Sequence, residues 1–180
     1  MKKFEEKTIS SERIFSGRMI DLKVDTVSLP NGETSTREIV THPGAVAIIA
    51  LTDDQKVVVV EQYRKPLEKT LLEIPAGKLD PGEDPAETAR RELEEETGYQ
   101  AKQLKYLTSF YTSPGFANEI LYLYLAEQLT LVENGRQLDE DEFVEVYEYT
   151  IEELEMFEKS QRIHDIKTSY AIQYLKLHLK

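Results

Sequence analysis

Three glutamates, Glu92, Glu95 and Glu96, crowd one short stretch of this chain. At 100° per helical residue, with Glu92 at zero, Glu96 falls at about +40°, Glu95 at about −60° and the small Thr88 at about −40°. Ala89, Leu93 and Ala86 fall at about +60°, +100° and +120°. A carboxylate stripe therefore runs beside an apolar face that can dock on a core. Like charges three and four residues apart destabilise a helix, and Arg91, at i,i+4 from Glu95, cannot neutralise the stripe alone. Hard divalent cations can. Mg2+ takes oxygen ligands, keeps several waters and is often shared with substrate phosphates. The competing reading is a solvated acidic helix face, the usual meaning of a charge run.

The elements around the stripe argue against that reading. Asp84 is a good N-cap, Pro85 suits the first helical position, Glu87 sits where a capping-box acid would, and Gly98 is a natural C′ stop. The spacing predicts a helix over Pro85–Thr97, entered through the loop Gly77–Glu83 after a short strand at Leu71–Ile74. The stretch Gly77-x5-Glu83-x7-Arg91-Glu92-Leu93-x-Glu95-Glu96-x-Gly98-Tyr99 resembles the box of the Nudix hydrolases, a long and specific motif. It departs at Tyr99, where an aliphatic residue is usual and a tyrosine fills the same apolar slot.

The resemblance implies hydrolysis of a nucleoside diphosphate linked to another group, with Mg2+ or Mn2+. It implies that Glu92, Glu95, Glu96 and the backbone carbonyl of Ala76 hold metal, while Glu83 buttresses the loop. Arg64 closes Glu61-Gln62-Tyr63-Arg64, which is similar to an element of ADP-ribose pyrophosphatases whose arginine reaches substrate; read alone, it is a solvated or paired strand-end residue. Arg37 divides evenly between a substrate contact and one polar position on a hairpin face. Ser113-Pro114-Gly115 reads alone as an ordinary turn. Pro114, sixteen residues beyond Gly98, resembles the ADP-ribose-hydrolysing branch, whereas dinucleoside-polyphosphate hydrolases tend to carry a tyrosine there. Glu119 aligns with a family glutamate near the terminal ribose, so Arg37, Arg64, Pro114, Gly115 and Glu119 form the expected substrate set. The acids 139–142 read alone as a solvated loop. A family loop glutamate near this place resembles the catalytic base, which makes Glu140 the expected base, Glu142 its competitor or a further metal ligand, and Glu95 the next candidate.

The expected reaction is cleavage of ADP-ribose to AMP and ribose 5-phosphate. The alternatives are another nucleoside diphosphate derivative (a nucleotide sugar or dinucleoside polyphosphate) and a nucleotide-sensing module of the same fold that does not cleave. The intact Arg91-Glu92 and Glu95-Glu96 pairs speak against a pure binder.

Composition bounds the rest. Net charge is −12, with 34 acids against 22 Lys and Arg, which repels nucleic acid and anionic membranes. No apolar run is long enough to cross a membrane, and the charged start, MKKFEEKTISSERIF, lacks an apolar signal core. The absence of cysteine excludes disulfides and thiolate–zinc sites and fits a cytoplasmic setting. His42, His164 and His178 have no ligand spacing, and most of the ten tyrosines fall at packing positions.

Along the chain, Met19–Leu29 and Thr34–Thr41 read as strands joined through Asn31-Gly32. Ala45–Leu51 and Lys56–Val60 read as buried strands. Leu107–Tyr111, Glu119–Ala126 and Phe143–Tyr149 are strand-like; Ile151–Lys159 and Ile166–Leu179 look helical, the latter with Tyr170, Ala171, Tyr174 and Leu175 on one face. The interleaving lacks a βαβ period and suggests an α/β (α+β) fold, a mixed sheet between helices. The resemblance implies the same α/β/α sandwich. We expect an N-terminal β-hairpin extension over 1–42 and the catalytic domain over 43–180. The resemblance further implies a homodimer whose extension joins the partner's site.

Overall fold

A computed structural model describes residues 3–132 and 143–179. Its elements are β1 (Lys7–Ser16), β2 (Asp21–Ser28), β3 (Thr34–Thr41), β4 (Ala45–Leu51), β5 (Val57–Arg64), β6 (Lys69–Glu73), β7 (Ala76–Lys78), α1 (Pro85–Thr97), β8 (Tyr99–Tyr111), β9 (Ile120–Leu131), β10 (Val144–Tyr149), α2 (Ile151–Lys159) and α3 (Ile166–His178). They fall into two compact units, Met1–Gly44 with Ser109–Leu121, and Ala45–Thr108 with Tyr122–Lys180.

In the first unit, β1, β2 and β3 form a three-stranded sheet in that order. Gly32, at φ 89°, makes the tight corner between β2 and β3, a conformation that costs glycine nothing. Its N–H donates to Leu29 O at 3.0 Å and Leu29 N–H to Glu33 O at 2.8 Å. β1 is a strand that the sequence pattern does not announce: all ten of its residues are exposed, so no buried face leaves the alternation that betrays a strand. Residues 109–121 join this unit through β3, where Val40 N–H donates to Phe116 O at 2.8 Å.

The second unit is built on a mixed sheet with order β10-β5-β4-β9-β8, β6 pairing β5 and β7 pairing β4. Every residue of β4 is buried, so both its faces must be covered. One face carries Val46, Ile48 and Ala50, which cluster with Val58, Tyr124 and Ala126 and with Ala89 and Leu93 of α1. The alternate residues Ala47, Ile49 and Leu51 point the other way. The helices α2 and α3 supply the buried Leu154, Ala171, Ile172 and Leu175, completing the sandwich. On α3 the buried face is Thr168, Ala171, Ile172 and Leu175. Tyr170 is instead 40% exposed, because the helix turns one position from the expected face and Ile172, not the tyrosine, takes the core.

Candidate active site

The box helix forms as its caps dictate. Asp84 accepts from Ala86 N–H at 2.9 Å, and Gly98, at φ 78°, donates its N–H to Glu94 O at 2.7 Å. Tyr99 packs against the core beneath α1. Its hydroxyl donates to Glu148 at 2.6 Å, and that bond, with burial, pushes the phenol up to about 12.

Docking divides the carboxylate stripe. Glu96 falls inside the buried arc with Thr88, Ala89, Leu93 and Thr97 and is only 1% exposed. Its Oε2 accepts the N–H of Ala76, twenty residues earlier, at 3.0 Å. This bond ties the helix to β7, which is itself paired to β4 through Ala47–Ala76 and Val46–Gly77. Glu92 lies over the same loop: a Cβ built on Gly77 would fall 1.8 Å from Glu92 Cδ. With the Glu92 side chain where it stands, no Cβ fits at Gly77, and the space is filled by the carboxylate.

Arg91 supplies the counter-charge. Its Nη1 donates to Glu92 at 2.9 Å and Glu95 at 2.8 Å, and its Nε and Nη2 reach Glu83 at 3.2 and 3.1 Å. The Glu83 hydrogen bond leads the effects that raise the guanidinium pKa, and Arg91 in turn lowers that of Glu83. Among the described residues, no group of three His, Asp or Glu side chains converges as a metal cage, because Glu92 and Glu95 are turned onto Arg91 while Glu96 holds Ala76. The donors themselves fit a hard divalent cation: three carboxylates within one helical turn, closed against a backbone loop that has no side chain at Gly77.

Arg64 stands at the end of β5, beside a residue not foreseen from the sequence. Its Nε and Nη2 each donate to one oxygen of Glu73 at 2.7 Å, and Lys167 Nζ donates to the same carboxylate. The Glu73 side chain is 2% exposed. Burial alone would push its carboxyl up, but the hydrogen bonds and charges of Arg64 and Lys167 outweigh burial and hold it at about 2. The one signal for it was an acid among buried apolar neighbours, Leu71, Leu72 and Ile74; its partner Lys167 lies 94 residues away.

The remaining expected residues lie in the first unit. Arg37 forks onto Glu6 at 2.9 and 2.5 Å and donates to Ser35 at 3.0 Å. Pro114 and Gly115 occupy an exposed turn in which Ser113 O accepts from Phe116 and Ala117 N–H at 3.1 and 2.9 Å. Glu119 accepts from Thr112 and lies 3.6 Å from His42 Nδ1. Glu140 and Glu142 lie outside the described residues.

The NUDIX domain family matches residues 41–169, and a family described as nucleoside diphosphate sugar hydrolase N-terminal domain matches residues 6–40. An ADP-ribose pyrophosphatase of Bacillus subtilis (strain 168) is 61% identical over 177 residues, 98% of this chain and 96% of that protein. Methanol dehydrogenase activator of Bacillus methanolicus is 62% identical over 176 residues, 98% of this chain and 95% of that protein. The crystal structure of an ADP compounds hydrolase aligns with a TM-score of 0.84 over 97% of this chain and 96% of that one, at 21% identity. That last likeness carries the fold alone.

Proposed function

The chain belongs to the NUDIX family, and on that premise we propose that it is a pyrophosphohydrolase that cleaves ADP-ribose to AMP and ribose 5-phosphate with Mg2+. The observation that carries the reading is the closure of α1 on its loop: Glu96 bonded to Ala76 N–H and Glu92 seated against Gly77. Glu92, Glu95, Glu96 and the Ala76 carbonyl are the residues that would hold the cation. A bound divalent ion supplies charge neutralisation at phosphoryl oxygens and acidifies water. The chain's own groups do the rest. Arg64 offsets diphosphate charge, with Arg37, Pro114, Gly115 and Glu119 as further substrate contacts. Glu140 takes the proton from the attacking water, with Glu142 and Glu95 as the competing bases. The water oxygen forms the new P–O bond, the bridging P–O bond breaks, and the bridging oxygen leaves on the other phosphate.

Two settings go with this reading. A cysteine-free chain of net charge −12 supports a cytoplasmic enzyme that engages neither nucleic acid nor membrane, and no described helix is long and apolar enough to cross one. The wholly exposed edge strand β1, with Ile9, Ile14 and Phe15 each more than half exposed, supports a homodimer formed through the extension. Light scattering on wild type and on a chain lacking residues 1–16 tests the dimer.

The deciding assay compares kcat/KM for ADP-ribose, ADP-glucose, diadenosine polyphosphates and NADH at equal Mg2+. ADP-ribose leads under this proposal, and any other substrate exceeding it tenfold overturns it. The methanol dehydrogenase activator, no less similar, favours a second reading in which the chain raises the turnover of a dehydrogenase partner. Adding wild-type and Glu96→Gln protein to a methanol dehydrogenase assay tests that reading and its need for hydrolysis.

A further inference from the structure

Glu73 is expensive where it stands. It closes β6 between the fully buried Leu72 and Ile74, and an ionised carboxylate there carries a desolvation cost that a hydrophobic residue of similar size avoids. A purely structural position favours the apolar choice. What the carboxylate does with that cost is specific. Glu73 is paired across the sheet with Val60, so it lies on the same strand face as Arg64, four residues further along β5, a gap that only a long side chain spans. Arg64 reaches back and binds it side-on, Nε to one oxygen and Nη2 to the other.

A guanidinium is a planar fork with five N–H donors. The side-on pair uses one N–H of Nε and one of Nη2, which leaves both N–H groups of Nη1 and the second of Nη2 directed away from Glu73. Among the described residues those donors meet no other side chain, and the Arg64 side chain remains 38% exposed. Glu73 cannot follow if Arg64 is pulled, because Lys167 holds it from α3 and is in turn held by Asp165 at 3.0 Å. The segment that follows is tied residue by residue. Ile74 N–H donates to Thr168 Oγ1 at 3.0 Å, Pro75 O accepts from Ile48 N–H at 2.9 Å, and Ala76 N–H donates to Glu96 at 3.0 Å. The anchor of Arg64 and the Glu96 carboxylate thus stand at the two ends of one pinned segment, and Arg64 lies close enough to feel the Glu96 charge.

We infer that Glu73 is a positioning residue for the hydrolysis: it locks the Arg64 guanidinium side-on, at a set distance from the Glu96 carboxylate, so that the free edge of the fork is presented to the substrate's diphosphate. This rests on the reading of Arg64 as a substrate contact. Pre-setting that edge removes the cost of ordering a long side chain when substrate binds.

A double-mutant cycle tests it, with steady-state kinetics on ADP-ribose well below each variant's Tm. Arg64→Ala raises KM about 10- to 100-fold, the range for loss of a charged hydrogen bond. Glu73→Gln, which removes the charge and one acceptor, raises KM about tenfold or more, and adds nothing further in the Arg64→Ala background. If the two effects multiply, if Arg64→Ala leaves KM at the wild-type value, or if Glu73→Gln lowers Tm with KM unmoved, the inference is wrong and Glu73 is only an anion of the core. Should Glu73→Gln fail to fold, Arg64→Lys decides, since lysine keeps the charge and cannot fork. A KM as high as that of Arg64→Ala supports the lock, and a wild-type KM overturns it. A wild-type enzyme inert toward ADP-ribose overturns the substrate reading instead, and the same cycle then runs on whichever diphosphate it cleaves.

Discussion

Arg91 and Arg64 both stand among carboxylates, but Arg91 is divided among three glutamates whereas Arg64 is given wholly to one. The acids around Arg91 are Glu83, Glu92 and Glu95, with side chains between 12% and 34% exposed. Solvent reaches them, each contact is shared, and a second cation can compete for the same oxygens. The Arg64 cluster is the reverse. Glu73 is enclosed, takes the two-pronged fork, and is backed by Lys167, itself held by Asp165. The first arrangement suits a place where charge must be exchanged during turnover. The second suits a fixed strut, and the low dielectric that makes a half-broken ion pair costly also makes a complete one rigid.

The largest expected effect separates the clusters by acid. Glu73 titrates at about 2 in the fold, against 4.5 for a free glutamate. A depressed folded pKa means that its contribution is fully present above 4.5 and is lost as pH falls from 4.5 toward 2. Because the side chain is enclosed, the whole shift counts, about 3 kcal/mol. Chemical denaturation across pH 7 to 2 should show wild type losing about that much more stability than Glu73→Gln over the same interval. Equal acid limbs would mean that the cluster does not hold the carboxylate as described.

Next comes activity at Glu96, the buried member of the carboxylate stripe. Glu96→Gln keeps size and removes the charge of a carboxylate in the proposed metal set, and on that proposal a loss of roughly 10²-fold or more in kcat/KM is expected at limiting Mg2+. Binding of Mn2+ to the variant without substrate, followed by its paramagnetic effect on water, should weaken in parallel. A wild-type rate at limiting Mg2+ would remove Glu96 from the metal set.

These two clusters also show what a sequence discloses. Everything around Arg91 lies between Gly77 and Gly98, within one helix and the loop before it, so spacing alone specifies the geometry. Asp84, Pro85 and Gly98 fix the helix ends, and 100° per residue places Glu92, Glu95 and Glu96 on a stripe. The Arg64 cluster is assembled by the fold from β5, β6 and α3. Nothing local links Glu73 to Lys167, 94 residues apart, so the pair becomes visible only when the sandwich closes. The same division runs through the secondary structure. The expectations for β3, β4, α1 and α2 agree with the fold because caps, β-branched runs and turn residues act locally. β1 escapes the pattern because KTISSERIFS buries no face, and its strand character comes from pairing with β2. The start of β8 escapes it for a related reason: from Tyr99 to Lys105 no position is fully buried, and the adjacent exposed Lys102 and Gln103 break the alternation.

A smaller effect probes how tightly the loop closes on the exchangeable cluster. A Cβ at Gly77 meets the far end of the flexible Glu92 side chain, at 1.8 Å from Cδ, and Gly77 is not among the residues at positive φ. The backbone therefore accepts alanine, and it is the carboxylate that must move. Gly77→Ala should lower kcat/KM about 10- to 100-fold, the range for disturbing a ligand's support, while Tm changes little. A large fall in Tm with activity per folded molecule intact would show that the loop, not the carboxylate, gave way.

The smallest effect expected is at Glu83, and it tests whether sharing makes Arg91 replaceable. Glu83 holds the Nε and Nη2 side of Arg91 at 3.2 and 3.1 Å, leaving Nη1 for Glu92 and Glu95. With Glu83→Gln, Arg91 keeps its other two partners, and the lost pair is partly exposed, so the stability cost should stay under about 1 kcal/mol. The consequence for activity runs through freedom of the guanidinium. Released on one side, Arg91 follows Glu92 and Glu95 more closely and competes harder with the cation. The Mg2+ concentration for half-maximal rate should rise a few-fold, while kcat at saturating Mg2+ stays near wild type. Because charge is removed from a partly solvated pair, the effect should shrink as salt screens the cluster. A kcat that falls at saturating Mg2+ would show instead that Glu83 fixes the loop itself, and that Arg91 is a fixed strut of the same kind as Arg64.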